Sequence, residues 1–230
     1  MNTLTEDQVN ERATGRLFGL SDAVFAIAMT LLALDLRVPD EGDHPADHVL
    51  VHALLHEWPH YLAFLISFYV IASYWRRHNA EMRTVNATHP ALLTRTLPLL
   101  LAVCALPFAA ELLGTYGGQD GIAIAVYAGI NILAVVSLLT IRHEARRHRL
   151  SPDAGSTPDS PELWFDLVAL LLAVPAGYLF PGHGVVALIV LLFASGNAGR
   201  VVTGRRTARA AARHAGSEQD RDEDDLGPES

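Results

Sequence analysis

The sequence predicts an all-α, polytopic membrane protein with six transmembrane helices. Half of its 230 residues are hydrophobic. They gather into six blocks of roughly 18–25 residues, the length that crosses a hydrocarbon core of about 30 Å at 1.5 Å per residue. No block alternates polar and apolar residues as a barrel strand would. Backbone groups in lipid must be satisfied within their own segment, which leaves helices.

The spans run over residues 17–36, 52–75, 90–113, 121–141, 163–180 and 184–203, each bounded by charge, Pro or Gly. Arg12 and Arg16 precede the first. Arg76, Arg77 and Arg83 lie between the second and third, and Arg142, Arg146, Arg147 and Arg149 between the fourth and fifth. Arg200, Arg205, Arg206, Arg209 and Arg213 lie at and beyond the end of the sixth. The other side carries only Arg37, beside Asp40, Glu41, Asp43 and Asp47. Arginine excess marks the cytoplasmic side, so both termini are expected there, in a multi-pass protein of the cell membrane. An even number of spans agrees with two termini on one side.

The net charge of −8 comes largely from the tail, Glu218 to Glu229. All 17 Lys-plus-Arg positions are Arg. An acidic balance with arginines at helix ends argues against a nucleic-acid partner. The single cysteine, Cys104, excludes an internal disulfide and a cysteine zinc cage. No cleavable leader is expected, because Met1 to Arg16 is polar and the apolar run after it is a full span. The domain reading is a transmembrane unit over 1–203 and a basic helix end with a disordered acidic tail over 204–230. The basic stretch 204–214 reads as a solvated helix end or as a contact for anionic lipid.

The first span is unlike the others. Arg16, Ser21 and Asp22 sit at its cytoplasmic end. An acid in an apolar run needs a protein or water partner. Span 2 brings Trp75 and His78 to the same side, and a polar knot joining Ser21 and Asp22 to His78 or Trp75 is expected, with a direct ion or proton role as the alternative. The span also carries two stripes. Leu20, Val24, Ile27, Leu31 and Leu34 form an aliphatic seam with 4-3-4-3 spacing. Gly19, Ala23, Ala26, Thr30 and Ala33 form an adjacent stripe of small residues, the kind that lets helices approach closely in lipid. The aliphatic seam is either ordinary packing or a hydrophobic constriction that gates by dewetting.

Arg16-x-x-x-Leu20-Ser21-Asp22, followed by Ala-Val-Phe-Ala-Ile-Ala-Met-Thr-Leu-Leu, resembles the Arg-x-x-x-Phe-Ser-Asp signature of the bacterial lysosomal-type potassium channels, the transmembrane protein 175 family. Ser67-Phe68 and Tyr74-Trp75-x-x-His78 are similar to that family's second helix. Leu20 stands where the signature has Phe. The resemblance implies six-helix subunits in a homotetramer, with helix 1 lining a central potassium pore that lacks a Thr-Val-Gly-Tyr-Gly filter and narrows at aliphatic rings. Those rings map to Ile27, Leu31 and Leu34, with Thr30 beside them. Arg16, Ser21, Asp22, Trp75 and His78 map to a structural polar network. Potassium is then the permeant ion, with membrane lipid and further copies of the chain as partners and no cofactor. The fragment Gly114-Thr-Tyr-Gly-Gly-Gln-Asp-Gly121 lacks the filter order and joins two full spans, so it reads as an outer turn.

His44, His48, His52, His56 and His60 recur every four residues before span 2, which on one helix is a slowly drifting face. Three readings fit them. They are a polar lead-in, a pH-responsive patch, or a metal pair at His52 and His56 with Glu57 or Asp47 nearby. Pro59 disturbs a helix at that point. Asp166 reads as a helix-end acid. No nucleophile, base and orienting group converge, so an enzyme is not expected. A secondary transporter and a non-conducting membrane scaffold remain the competing classes. Pro98, Pro107 and Pro175 interrupt spans as transporters often do, but no internal repeat accompanies them.

Overall fold

The computed structural model describes residues 6–36, 46–83, 90–117, 121–147, 161–179 and 190. Among these the chain is helical throughout. Six α-helices follow in order: α1 (Glu6–Leu31), α2 (Asp47–His56), α3 (Trp58–Arg83), α4 (Pro90–Tyr116), α5 (Gly121–Arg147) and α6 (Pro161–Leu179). A 3-10 turn, Leu32–Asp35, ends α1. Span 6, over 184–203, lies outside the described residues apart from position 190, as do the loop over 148–160 and the tail beyond 203.

α4 is the central element. It packs on α5, α3 and α1, while α5 also receives α6 and part of α3. Buried alanines at 102, 109 and 110 let its neighbours approach closely. Pro98 and Pro107 lie inside this continuous helix. Each removes one ladder donor, a loss that neighbouring helices make tolerable in an apolar bundle. The core is aliphatic and aromatic, with Phe25, Leu32, Ile71, Leu99, Leu106, Tyr127 and Leu138 wholly enclosed.

Among the described residues three helices are long and apolar enough to cross a membrane, over Gly15–Asp35, Thr94–Tyr116 and Gly121–Arg147, and Leu163–Pro175 forms a shorter apolar stretch. α3 is as long as α1, with 26 residues each. Trp58, His60, Tyr61, Tyr69, Tyr74 and Trp75 dilute its aliphatic run, with the indoles near the two ends where amphipathic rings favour a membrane interface.

The second span differs from the sequence reading. A single helix from residue 52 is replaced by α2 and α3, parted at Glu57. Pro59 explains the break. It has no N–H to continue the α2 ladder, and its ring is harmless at the start of a new helix. Glu57 still donates its N–H to the Ala53 carbonyl (3.3 Å), and its own carbonyl accepts from His60 (3.0 Å) and Tyr61 (3.3 Å).

Candidate functional site

α1 presents three faces, and among the described residues one of them supplies nearly all of its packing within the chain. Leu17, Ser21, Phe25, Ala28 and Leu32 are buried against α3 and α4. Four of the five seam residues point away from the bundle, with Leu20 52%, Ile27 57%, Leu31 43% and Leu34 73% exposed, while Val24 is half-buried and packs against the core. The small stripe is exposed too, at Gly19, Ala23, Ala26, Thr30 and Ala33. A Cβ built on Gly19 would meet nothing within 4 Å. Among the described residues the small stripe therefore serves no packing within the chain. Thr30 Oγ1 donates to the Ile27 carbonyl at 2.8 Å, which spends its proton on the backbone and leaves the oxygen lone pairs outward.

Near the start of the apolar run of the same helix, the indole Nε1 of Trp75 donates to Asp22 Oδ1 at 2.9 Å. The His78 ring lies against Phe25, with centroids 6.0 Å apart at 32°. Ser21 and His78 are buried, and neither polar group has a partner among the described residues. Arg16 is exposed and joins none of these contacts. The structure thus ties α1 to α3 through Asp22, Trp75, Phe25 and His78, and leaves Arg16 outside the knot.

Sequence reasoning missed the rest of the polar framework. Arg77 on α3 pairs with Asp166 on α6 at 2.5 Å, and Arg142 on α5 pairs with Glu81 on α3 at 3.5 Å. Deeper in, Ser67 donates to the Tyr127 hydroxyl at 3.2 Å. The Tyr74 hydroxyl donates to Asn131 Oδ1 at 2.9 Å, and Asn131 Nδ2 donates to the Tyr127 carbonyl at 2.8 Å. These bonds close the α3–α5 seam with each buried group satisfied, as an apolar environment requires. Asn131, a lone amide in an apolar run, was the available signal.

The other end of the bundle holds the described members of the histidine ladder. His48, His52 and His56 are exposed on α2, while His60 belongs to α3, so the ladder does not occupy one helix face. His44 lies outside the described residues. His60 Nδ1 approaches Glu57 at 2.9 Å, and its Nε2 lies 3.4 Å from Thr115 Oγ1 on α4. No group of three or more His, Cys, Asp or Glu is placed to hold a metal among the described residues. Gly114 is the last buried step of α4 beneath His60; a Cβ there would stand 2.8 Å from His60 Cδ2. Helix α4 runs through Tyr116, so the filter-like fragment begins inside a helix, and residues 118–120 of it lie outside the described residues.

Comparison with known proteins places this arrangement. Residues 16–107 match the family model of the endosomal/lysosomal potassium channel TMEM175. A potassium channel of Streptomyces collinus is 32% identical over 188 residues, which cover 76% of this chain and 90% of that protein. A potassium channel of Chamaesiphon minutus is 40% identical over 142 residues, covering 60% of this chain and 68% of that protein. A crystal structure of a lysosomal potassium-selective channel TMEM175 homolog from Chamaesiphon minutus superposes with a TM-score of 0.65 at 30% identity. That match covers 82% of this chain and 98% of the other. These relatives are channels rather than enzymes.

Proposed function

The chain belongs to the endosomal/lysosomal potassium channel TMEM175 family, and from that premise we propose that it conducts potassium through a pore formed by several copies, with α1 of each copy at the axis. One observation carries the pore assignment. Four of the five residues of the aliphatic seam, Leu20, Ile27, Leu31 and Leu34, are turned away from the described bundle, and Val24 alone packs against the core. An apolar face of that size on the helix that carries the family signature needs a covering. In a homotetramer the small stripe of Ala23, Ala26 and Ala33 allows neighbouring α1 helices to close in. Ile27, Leu31 and Leu34 then project as successive aliphatic rings, and such rings gate by excluding water. Thr30, between Ile27 and Leu31, offers its outward lone pairs to a partly dehydrated cation. No Thr-Val-Gly-Tyr-Gly filter is needed in this scheme. The Trp75–Asp22 hydrogen bond and the contact of the His78 ring with Phe25 hold α1 on α3 so that the seam keeps its direction. Arginine placement sets both termini in the cytoplasm.

The test is ion flux through purified protein in liposomes. The wild type is expected to pass potassium in preference to sodium, with Ile27→Ala and Leu31→Ala raising the leak. A folded oligomer that passes no ion in any variant would move a transporter or a scaffold ahead.

A further inference from the structure

One end of the bundle concentrates exposed positive charge. The ties Trp75–Asp22, Arg77–Asp166 and Arg142–Glu81 bring the signature end of α1, the C-terminal ends of α3 and α5 and the start of α6 to this end. α4 also begins here, since its far end meets His60 near the start of α3. Most of the described acids here are paired or buried. Asp166 and Glu81 answer Arg77 and Arg142, Glu144 is buried, and Asp22 is held by the Trp75 indole. Arg16, Arg76, Arg95 and Arg147 are left exposed, with no partner among the described residues. Trp75 and Trp164 are exposed at the same end, at 37% and 58%. The opposite end shows Asp47, His52 and His56 instead.

We infer that this end is a docking surface for anionic phospholipid, whose headgroup phosphates pair with Arg16, Arg76, Arg95 and Arg147. Three physical arguments converge. Guanidinium pairs with phosphate through a planar fork and is more weakly hydrated than an ammonium, which suits a headgroup region. Exposed indoles at the level of the arginines fit the amphipathic boundary where headgroups begin. Among the described side chains the four exposed arginines at this end outweigh its one exposed acid, Asp22, and each arginine near an anionic leaflet adds an attraction. The surface also touches the proposed pore. Arg76 lies between Trp75, which holds Asp22 on α1, and Arg77, which holds α6. A lipid seated on Arg76 therefore bears on the turn of α3 that fixes α1. The inference requires the bundle to sit in a membrane, not that it conduct.

The test uses full-length protein carrying Trp58→Phe, so that fluorescence reports only Trp75 and Trp164 at the arginine end. It is reconstituted in phosphatidylcholine vesicles containing a minor fraction of brominated phosphatidylglycerol, or the same fraction of brominated phosphatidylcholine. Stronger quenching by the anionic lipid is expected, weakening as salt rises. Arg76→Gln and Arg95→Gln should each lower the relative association constant about fivefold, while Arg76→Lys retains most of it. These side chains are exposed, so helical content serves as the folding control. Equal quenching by the two lipids overturns the inference, as does an anionic preference that survives both glutamine substitutions. A preference abolished by inorganic phosphate, but not by chloride at equal ionic strength, also overturns it in favour of a free-anion site.

Discussion

The indole of Trp75 donates to Asp22 across 2.9 Å, and this bond fastens the helix carrying the family signature to α3. It is an exposed, charge-assisted contact one turn from the buried stack of Phe25 on His78. Trp75→Phe keeps the ring and removes the donor. Because Asp22 is exposed, the loss should sit at the low end for such bonds, about 1 kcal/mol. Asp22→Asn keeps an acceptor and should cost less. Thermal melting followed by helical circular dichroism separates the two, and equal losses would mean that charge rather than the hydrogen bond matters.

Phe25 and Ile27 sit two residues apart on α1 and should behave as opposites. Phe25 is wholly enclosed, so Phe25→Ala should destabilise the fold by about 3–5 kcal/mol. Ile27 is 57% exposed, and Ile27→Ala should shift the fold of the single chain by no more than about 0.5 kcal/mol. Its effect should appear in the oligomer distribution and in ion flux. Melting of detergent-solubilised protein, alongside a flux assay, checks both.

Arg77 and Asp166 form a partly buried pair, with 25% and 13% of their side chains exposed. Removing one partner strands the other charge. Asp166→Asn or Arg77→Gln alone should cost about 1–3 kcal/mol, less than a fully buried pair because Arg77 reaches solvent. The double variant Arg77→Met with Asp166→Leu should be more stable than either single change. Strict additivity in that cycle would show that the two charges do not interact.

Gly114 lies under His60, and an alanine there would press on the His60 ring at 2.8 Å and on its Cα at 3.3 Å. Gly114→Ala should destabilise by about 1–3 kcal/mol through overpacking. Adding His60→Ala removes the ring and should recover most of that loss, leaving only the backbone contact. No recovery in the double variant would place the strain elsewhere.

Helical periodicity made the faces of α1 legible in the sequence, but not their partners. It separated the aliphatic seam from the small stripe, yet apart from Val24 the described packing runs through a third face, Ser21, Phe25 and Leu32. A repeat shows that a helix has sides, and only neighbouring helices determine which side is covered. The break at Glu57 was half legible. Pro59 announced a disturbance, while the histidine spacing pointed to a continuous helix. Asp22 was legible as an acid in need of a partner, because its cost in an apolar run is local. The pairing of Arg77 with Asp166 was not, since 89 residues separate them and no spacing rule spans that distance. Tyr74 and Asn131, 57 residues apart, were hidden for the same reason.

The proposal that the α1 seam faces a water-filled pore is tested most directly by cysteine accessibility. Cys104 is the only native cysteine, so Cys104→Ser supplies a thiol-free background. Leu31→Cys and, on the exposed face of α4, Leu97→Cys are then reconstituted in liposomes and treated with a charged, water-soluble thiol reagent during potassium flux. Modification at position 31 should block the flux, and position 97 should be unaffected because it meets lipid. Block at position 97 with none at position 31 would contradict the account and remove α1 from the conduction path.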